Sequence, residues 1–299
     1  MKRVRIPFWL LFTGAVLLTG SALARDAEDV FIAASPDNPS LYQIATAISR
    51  QLETRNIDST IIDAGKGKLS VFNKAGIIIS VGNAVSQRIT RLAPDKPLIA
   101  ITTSIMAADN TSAHTQLLIQ QPPCRQLRLI KNLSDQFRSV SVIASNNRHR
   151  DTLKRCASNN GLTLRFYRKT KDTALAKLIA QALQGDIILA LPDHEIYNPK
   201  TVKTILLQSY RKRIPLIGFS RSFVKAGALA AIYSTPEQIA GQVSDLVQQW
   251  LEQGSLSGGV TFPRDYHVLI NNQVSNALQL DLPPTDIVRN KLLAGESDE

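Results

Sequence analysis

Residues Ile214–Gln242, IPLIGFSRSFVKAGALAAIYSTPEQIAGQ, decide the fold class. Pro215–Ser220 is an apolar run of strand length, Arg221–Gly227 reads as a polar turn, and Ala228–Ser234 is a second apolar strand. A helix follows at once. Thr235 is placed to cap it, Pro236 takes its first position, and Gln238 stands three residues after the cap, the spacing of a capping box. Two strands ending in Ser220 and Ser234 put hydroxyls and loop amides at strand ends, where open α/β sheets hold small molecules.

The same alternation extends outward from this segment. Strands are predicted at Val30–Ser35, Ser59–Ala64, Gly76–Gly82, Leu98–Thr103 and Thr115–Gln120, then at Val140–Ser145, Leu162–Tyr167, Asp186–Leu191 and His267–Asn272. Runs such as Ile77-Ile78-Ile79 and Ile187-Ile188-Leu189-Ala190-Leu191 lack polar alternation, which calls for cover on both faces. Amphipathic helices lie between them. Ser40–Arg55 carries Leu41, Ile44, Ala45, Ile48 and Leu52 on one stripe, and Gln238–Gln253 carries Ile239, Val243, Leu246, Val247 and Trp250. Strand and helix in regular alternation predict an α/β protein with parallel sheets. One array runs up to Thr103 and a second from Val140 to Ser234, with Ala107–Thr115 and Ser255–Gly259 as polar connectors.

Residues 1–24 read as a signal peptide: Lys2, Arg3 and Arg5, an apolar run from Ile6 to Leu18, and Ala22-Leu23-Ala24 before the cleavage point. That run is short for a membrane span, and no later stretch is longer. No cysteine near the cleavage point offers a lipid attachment. The expected product starts at Arg25, is periplasmic, and keeps 32 basic against 24 acidic residues, a net charge of +8. Its basic residues are scattered, with short clusters at Arg148–Arg150 and Arg211–Arg213, which speaks for solvated faces rather than nucleic-acid binding. Some 275 residues with 44% hydrophobic content in the whole chain can supply two cores. Cys124 and Cys156 fall on predicted helices flanking Val140–Ser145; a disulfide and two buried thiols both remain open, because spacing does not fix a distance. Neither cysteines nor histidines have metal-ligand spacing.

The motif Pro215-Leu216-Ile217-Gly218-Phe219-Ser220, followed by Phe223-Val224-Lys225-Ala226-Gly227-Ala228-Leu229-Ala230, resembles the ABC-transporter substrate-binding family associated with uptake of aromatic amino acids. The closing Leu269-Ile270-Asn271 and Ala277-Leu278-Gln279-Leu280-Asp281-Leu282-Pro283-Pro284 are similar to that family's last stretch, and Leu191-Pro192-Asp193 with Ile196, Tyr197, Asn198 and Pro199 matches another of its patterns. The resemblance covers about Gly185–Leu292 best. It implies two Rossmann-like lobes of the type I periplasmic binding protein kind, hinged around a central cleft. Lobe 1 would comprise residues 25–114 and 235–262, lobe 2 residues 115–234 and 263–299. Ile101–Thr115 lacks the Asp-Pro and Gly-Gly-Asn-Val-Thr-Gly loop of typical relatives, so the ligand class is open.

Strand tips supply the candidate site. Ser35, Asn83 and Thr102 are expected from the first lobe, and Asn146, Asp193, Tyr197 and Ser220 from the second. Hydroxyls and amides hold charged ligand groups at small desolvation cost. Asp193 is suited to a ligand ammonium and Tyr197 to an aromatic contact; capping is the competing role for such residues. No cofactor motif is present: Gly65-Lys66-Gly67-Lys68 lacks phosphate-loop spacing, and no G-x-S-x-G elbow occurs. The leading expectation is a monomeric, non-enzymatic solute-binding protein that passes a small polar ligand, an amino acid or similar molecule, to an inner-membrane ABC permease. A sensor of the same fold reporting to a receptor, and an exported α/β enzyme, are the alternatives.

Overall fold

Strands that are apolar on both faces need helices on both sides, and that requirement organises the computed structural model, which describes residues 29–65, 69–106 and 114–296. The signal peptide and most of the 107–115 connector therefore lie outside the described residues. The first array runs β1 (Val30–Ala34), α1 (Pro39–Glu53), β2 (Ser59–Asp63), β3 (Ile77–Val81), α2 (Asn83–Leu92), β4 (Leu98–Thr102) and β5 (His114–Leu118). The second runs α3 (Pro123–Leu133), β6 (Ser139–Ala144), α4 (Arg150–Asn159), β7 (Thr163–Arg168), α5 (Leu175–Ala182), β8 (Ile187–Leu189), α6 (Val202–Arg211), β9 (Leu216–Gly218), α7 (Arg221–Ala226) and β10 (Ala230–Tyr233). The chain then returns with α8 (Pro236–Gln253) and β11 (Gly259–Thr261) to the first sheet, and ends with β12 (His267–Ile270), α9 (Asn272–Ala277) and α10 (Thr285–Glu296) on the second.

Two six-stranded sheets result, ordered β2-β1-β3-β4-β5-β11 and β7-β6-β8-β9-β10-β12. All pairings are parallel except β10 with β12. Each sheet is covered twice. In the first, Ile32, Ile79 and Ile101 pack under α1 and α8 with Trp250, while Phe31, Ile78 and Ala100 pack on the other face with Phe72 and Ile89. In the second, Val140, Val142 and Leu189 meet α3, α4 and α10, and Ile143, Ile188 and Leu216 meet α5 and α6. Among the described residues no helix is long and apolar enough to cross a membrane.

Three sequence expectations are corrected. The strand at 114–118 pairs with β4 in the first sheet, so the chain first crosses between sheets after Leu118 rather than at residue 114; its alternation was visible but its sheet partner was not. Residues 221–226 are helical, not a turn: Ser220 Oγ accepts from Phe223 N at 3.4 Å and Gly227 closes the helix at φ +117°. Part of the connector expected at Ser255–Gly259 leads into β11, which pairs with β5. Thr235 caps α8 with a complete capping box, as its spacing predicts.

The Gly-x-Ser motif owes its glycine to packing. A Cβ at Gly218 would stand 2.4 Å from Phe223 Cβ, so α7 can lie against the end of β9 only where residue 218 has no side chain. Cys124 and Cys156 are joined, with Cα atoms 5.0 Å apart and 32 positions apart in sequence, clamping α3 to α4.

Two outcomes follow from this packing. Gly218→Ala should destabilise by about 1–3 kcal/mol, read as a lower urea midpoint, and Phe223→Ala in the same chain should not restore it, because the Cβ that clashes remains. Reduction of the disulfide should remove about 3–4 kcal/mol by loop entropy, seen as a fall in melting temperature that Cys124→Ser with Cys156→Ser reproduces without reductant.

Candidate functional site

In the second sheet the order reverses at β6, which has β7 on one side and β8 on the other. Loops leaving adjacent strands diverge at such a switch and open a crevice beyond their carboxyl ends. The turn after β6 brings Ser145, Asn146, Arg148 and His149 to this crevice, and the loop after β8 brings Leu191, Asp193, His194 and Glu195. Phe166 of β7 adds an aromatic side. Across from them stand Thr103 and Ser104, after β4, and Gln120, after β5. Together they enclose a cleft of about 270 Å³ with walls from both sheets.

The first wall is held by amide side chains. Asn83 Oδ1 accepts from Thr103 N and Thr103 Oγ1, each at 2.8 Å, while its Nδ2 donates to Ser104 Oγ at 2.5 Å. The buried Gln116 donates to Thr102 Oγ1 and to Ser104 O, and accepts from Met106 N at 3.3 Å. Gln120 donates to Thr103 O. Residues 103–106 have no ladder partners of their own, so these three amides fix the backbone that carries Thr103 and Ser104.

Of the residues proposed from sequence, Asn146 and Asp193 line the cleft; Ser35, Asn83, Thr102, Tyr197 and Ser220 do not. Each of the five has another task. Ser35 Oγ bonds Asp37 Oδ2 beyond β1, Asn83 positions Thr103 and Ser104, and Thr102 is wholly buried as an acceptor for Gln116. Ser220 caps α7. Tyr197 is 4% exposed and packs edge-on against Phe219 and Phe223, with ring centres 6.4 and 6.1 Å away. Burial, with the Asp193 charge adding to it, pushes its phenol well above the ordinary range. Asp193 is in place but occupied: Oδ2 accepts from Ser145 N at 2.7 Å and Oδ1 from Glu195 N at 3.1 Å, so its carboxylate ties the β6 tip to the β8 loop. Ser104, Gln120, Arg148 and His149 escaped the sequence reading, because nothing in a loop sequence marks which side it faces.

The chain passes between the sheets three times, and one polar knot joins the crossings. Gln121 Nε2 donates to Ser234 Oγ at 2.8 Å, and Ser234 Oγ donates to Asp265 O at 2.6 Å. The buried Arg125 donates to Gln121 Oε1 and Pro263 O and lies 4.4 Å over the Tyr266 ring. Ser234, a strand tip in the sequence, thus belongs to the hinge.

Comparison with known proteins bears on the family and the fold. Residues 42–288 match the profile of the ABC transporter substrate binding protein family. The chain belongs to that family. No curated relative matches it in sequence. Among solved structures it is similar to a substrate binding protein with adhesive properties from Clostridium difficile in its ligand-free, open form, with TM-score 0.67 and 15% identity over 87% of this chain and 97% of that one. It is also similar to an ABC domain from Streptococcus pneumoniae in complex with L-Trp, with TM-score 0.61 and 16% identity over 88% and 98%. A periplasmic ribose ABC transporter protein from Conexibacter woesei gives TM-score 0.56 and 12% identity over 85% and 95%. At these identities the likeness shows the fold, which is that of type I periplasmic binding proteins, with two lobes.

In this substrate-binding chain Asp193, one of two acids lining the cleft, has a structural task. Asp193→Ala should leave two backbone amides unpaired and cost about 1.5–3 kcal/mol, measured by urea denaturation without ligand. An unchanged midpoint would show that the carboxylate does not brace the β6 tip.

Proposed function

We propose that the protein is exported to the periplasm, takes a small polar solute between its lobes, and presents the closed form to an inner-membrane ABC permease. The observation that carries this reading is a cleft whose walls come from separate sheets, Thr103, Ser104 and Gln120 on one and Ser145, Asn146 and Arg148 on the other. A ligand touching both walls stabilises the closed arrangement by its differential contacts, and the three crossings tied at Ser234 supply the pivot. The disulfide suits an oxidising compartment, and the leader-like residues 1–24 supply the route. Among the described residues no hydrogen bond joins a cleft serine to a histidine, which favours capture over acyl-transfer chemistry. The protein acts as a monomer and binds no nucleic acid.

A screen of the chain from Arg25 onward against metabolites should find a compound that raises the melting temperature, since a ligand of the folded state stabilises it. The same compound should shrink the radius of gyration in solution scattering. A binder that leaves the scattering unchanged would overturn capture by closure.

A further inference from the structure

The cleft presents an uncommitted cation and no uncommitted carboxylate. Arg148 lines it from the turn after β6, and its guanidinium has no hydrogen bond or ion pair among the described residues. The two acids beside it are engaged: Asp193 by the amides of Ser145 and Glu195, and Glu195 by Lys169 Nζ at 3.9 Å. A ligand ammonium would meet one carboxylate that already accepts two amides and one whose charge Lys169 offsets, whereas a ligand acid meets a guanidinium with no partner among the described residues, able to bind it bidentately. Thr103, Ser104, Gln120, Ser145 and Asn146 on the walls are neutral, and two histidines, His149 and His194, complete the polar lining. Next to Arg148, α4 begins at His149 without a side-chain cap, leaving a positive helix end on this side of the cleft. Burial, and then the Arg148 charge, hold the His149 imidazole below its usual pKa, so it serves as a neutral hydrogen-bonding group.

The charge of the lobe that carries Arg148 points the same way. Residues 125–177 hold thirteen Lys and Arg against three Asp and Glu, a net of +10 in a chain that carries +8 after export. Exposed Arg150, Lys154 and Arg155 lie on α4, the helix that starts beside Arg148, and exposed Arg168 ends β7 on the carboxyl side of the sheet. Arginines on β7 also guard an edge strand, yet that role places no unpaired guanidinium inside the cleft. A one-signed field around a crevice concentrates ions of the opposite sign and speeds their capture.

Building on the reading of the cleft as a solute site, we infer that the solute is a small organic anion without a compensating ammonium group, whose carboxylate or phosphate is received by Arg148. The test pairs compounds that differ only in charge. Succinate is set against aspartate, 3-phenylpropionate against phenylalanine, and glycerol 3-phosphate against glycerol; melting shifts and calorimetric affinities are then extended to a wider metabolite set sorted the same way. The expected result is an acid that binds at least about tenfold more tightly than its amino or neutral counterpart, the carboxylate and phosphate arms telling the two headgroups apart. Arg148→Gln should weaken that acid by about tenfold or more with the unliganded melting temperature unchanged, and Arg148→Lys should recover part of it. Lys154→Gln with Arg155→Gln should slow association at low salt and leave dissociation unchanged. Tighter binding by an amino acid or neutral compound, or undiminished binding in Arg148→Gln, would overturn the anion assignment while solute capture stands. The absence of any binder across the wider set would overturn capture itself, and the assignment with it.

Discussion

A parallel sheet covered by helices on both faces has only its strand ends left for a ligand, and the rest of this molecule depends on that constraint. Both sheets satisfy it through strands such as Ile77–Val81 and Ile187–Leu189, buried along their whole length. The faces are consumed by Trp250, Ile48 and Val243 in one lobe and by Leu129, Leu153 and Leu206 in the other. What remains is a rim of turns, and in the second lobe the reversal of strand order between β7, β6 and β8 splits that rim open. The cleft is therefore a consequence of topology before it is a matter of side chains.

The two lobes do not contribute in the same way. In the second lobe the lining residues leave the switch-point strands β6 and β8. In the first lobe the reversal falls at β1, between β2 and β3, yet the wall comes from the loops after β4 and β5. Ser35 and Asn83 at the switch are thereby displaced into supporting roles, Asn83 through its bonds to Thr103 and Ser104. The crossings then set how the walls can move. Asp245 of α8 accepts from Arg55 at 2.6 Å and from Arg264 at 2.8 Å, so the third crossing is anchored to the first lobe. Burial raises the Asp245 pKa, but the hydrogen bonds from Arg264 and Arg55 outweigh it and hold the carboxyl below its ordinary value. The contribution is present above the unfolded carboxyl pKa and lost as pH falls through the depressed folded value; it is small, because the groups are well exposed.

Much of the architecture was legible in the residues themselves. Apolar runs of strand length and period-3.6 stripes located eleven strands and the main helices, and Thr235-Pro236 with Gln238 fixed the start of α8 to the residue. The misses have physical causes. Arg221–Ala226 buries only Val224 fully, too little to give a six-residue helix a periodic signal, so its cap and closing glycine passed for turn chemistry. The strand at 114–118 carries no mark of which sheet it joins, because partner choice is decided by contacts distant in sequence. Asp193 was found as a cleft residue while its occupation was not, since the amides that fill its oxygens belong to Ser145, forty-eight positions away, and to Glu195. The pairing of Cys124 with Cys156 likewise depended on how α3 packs against α4.

The division between fold and ligand also runs through the family motif. Gly218 admits Phe223, Ser220 caps α7, Gly227 supplies the left-handed turn, and Asn271 Nδ2 donates to Val224 O at 3.0 Å, tying the closing stretch to the same corner. Every one of these residues builds the junction of β9, β10 and β12, and none of them lines the cleft. A sequence can keep that corner while its ligand changes, because the groups facing the cleft sit in other loops. In this chain those groups are held by Asn83, Gln116 and Gln120 on one side and by Asp193 on the other. The corner that carries the family motif and the loops that face the cleft are thus built from different residues, so one can be kept while the other varies.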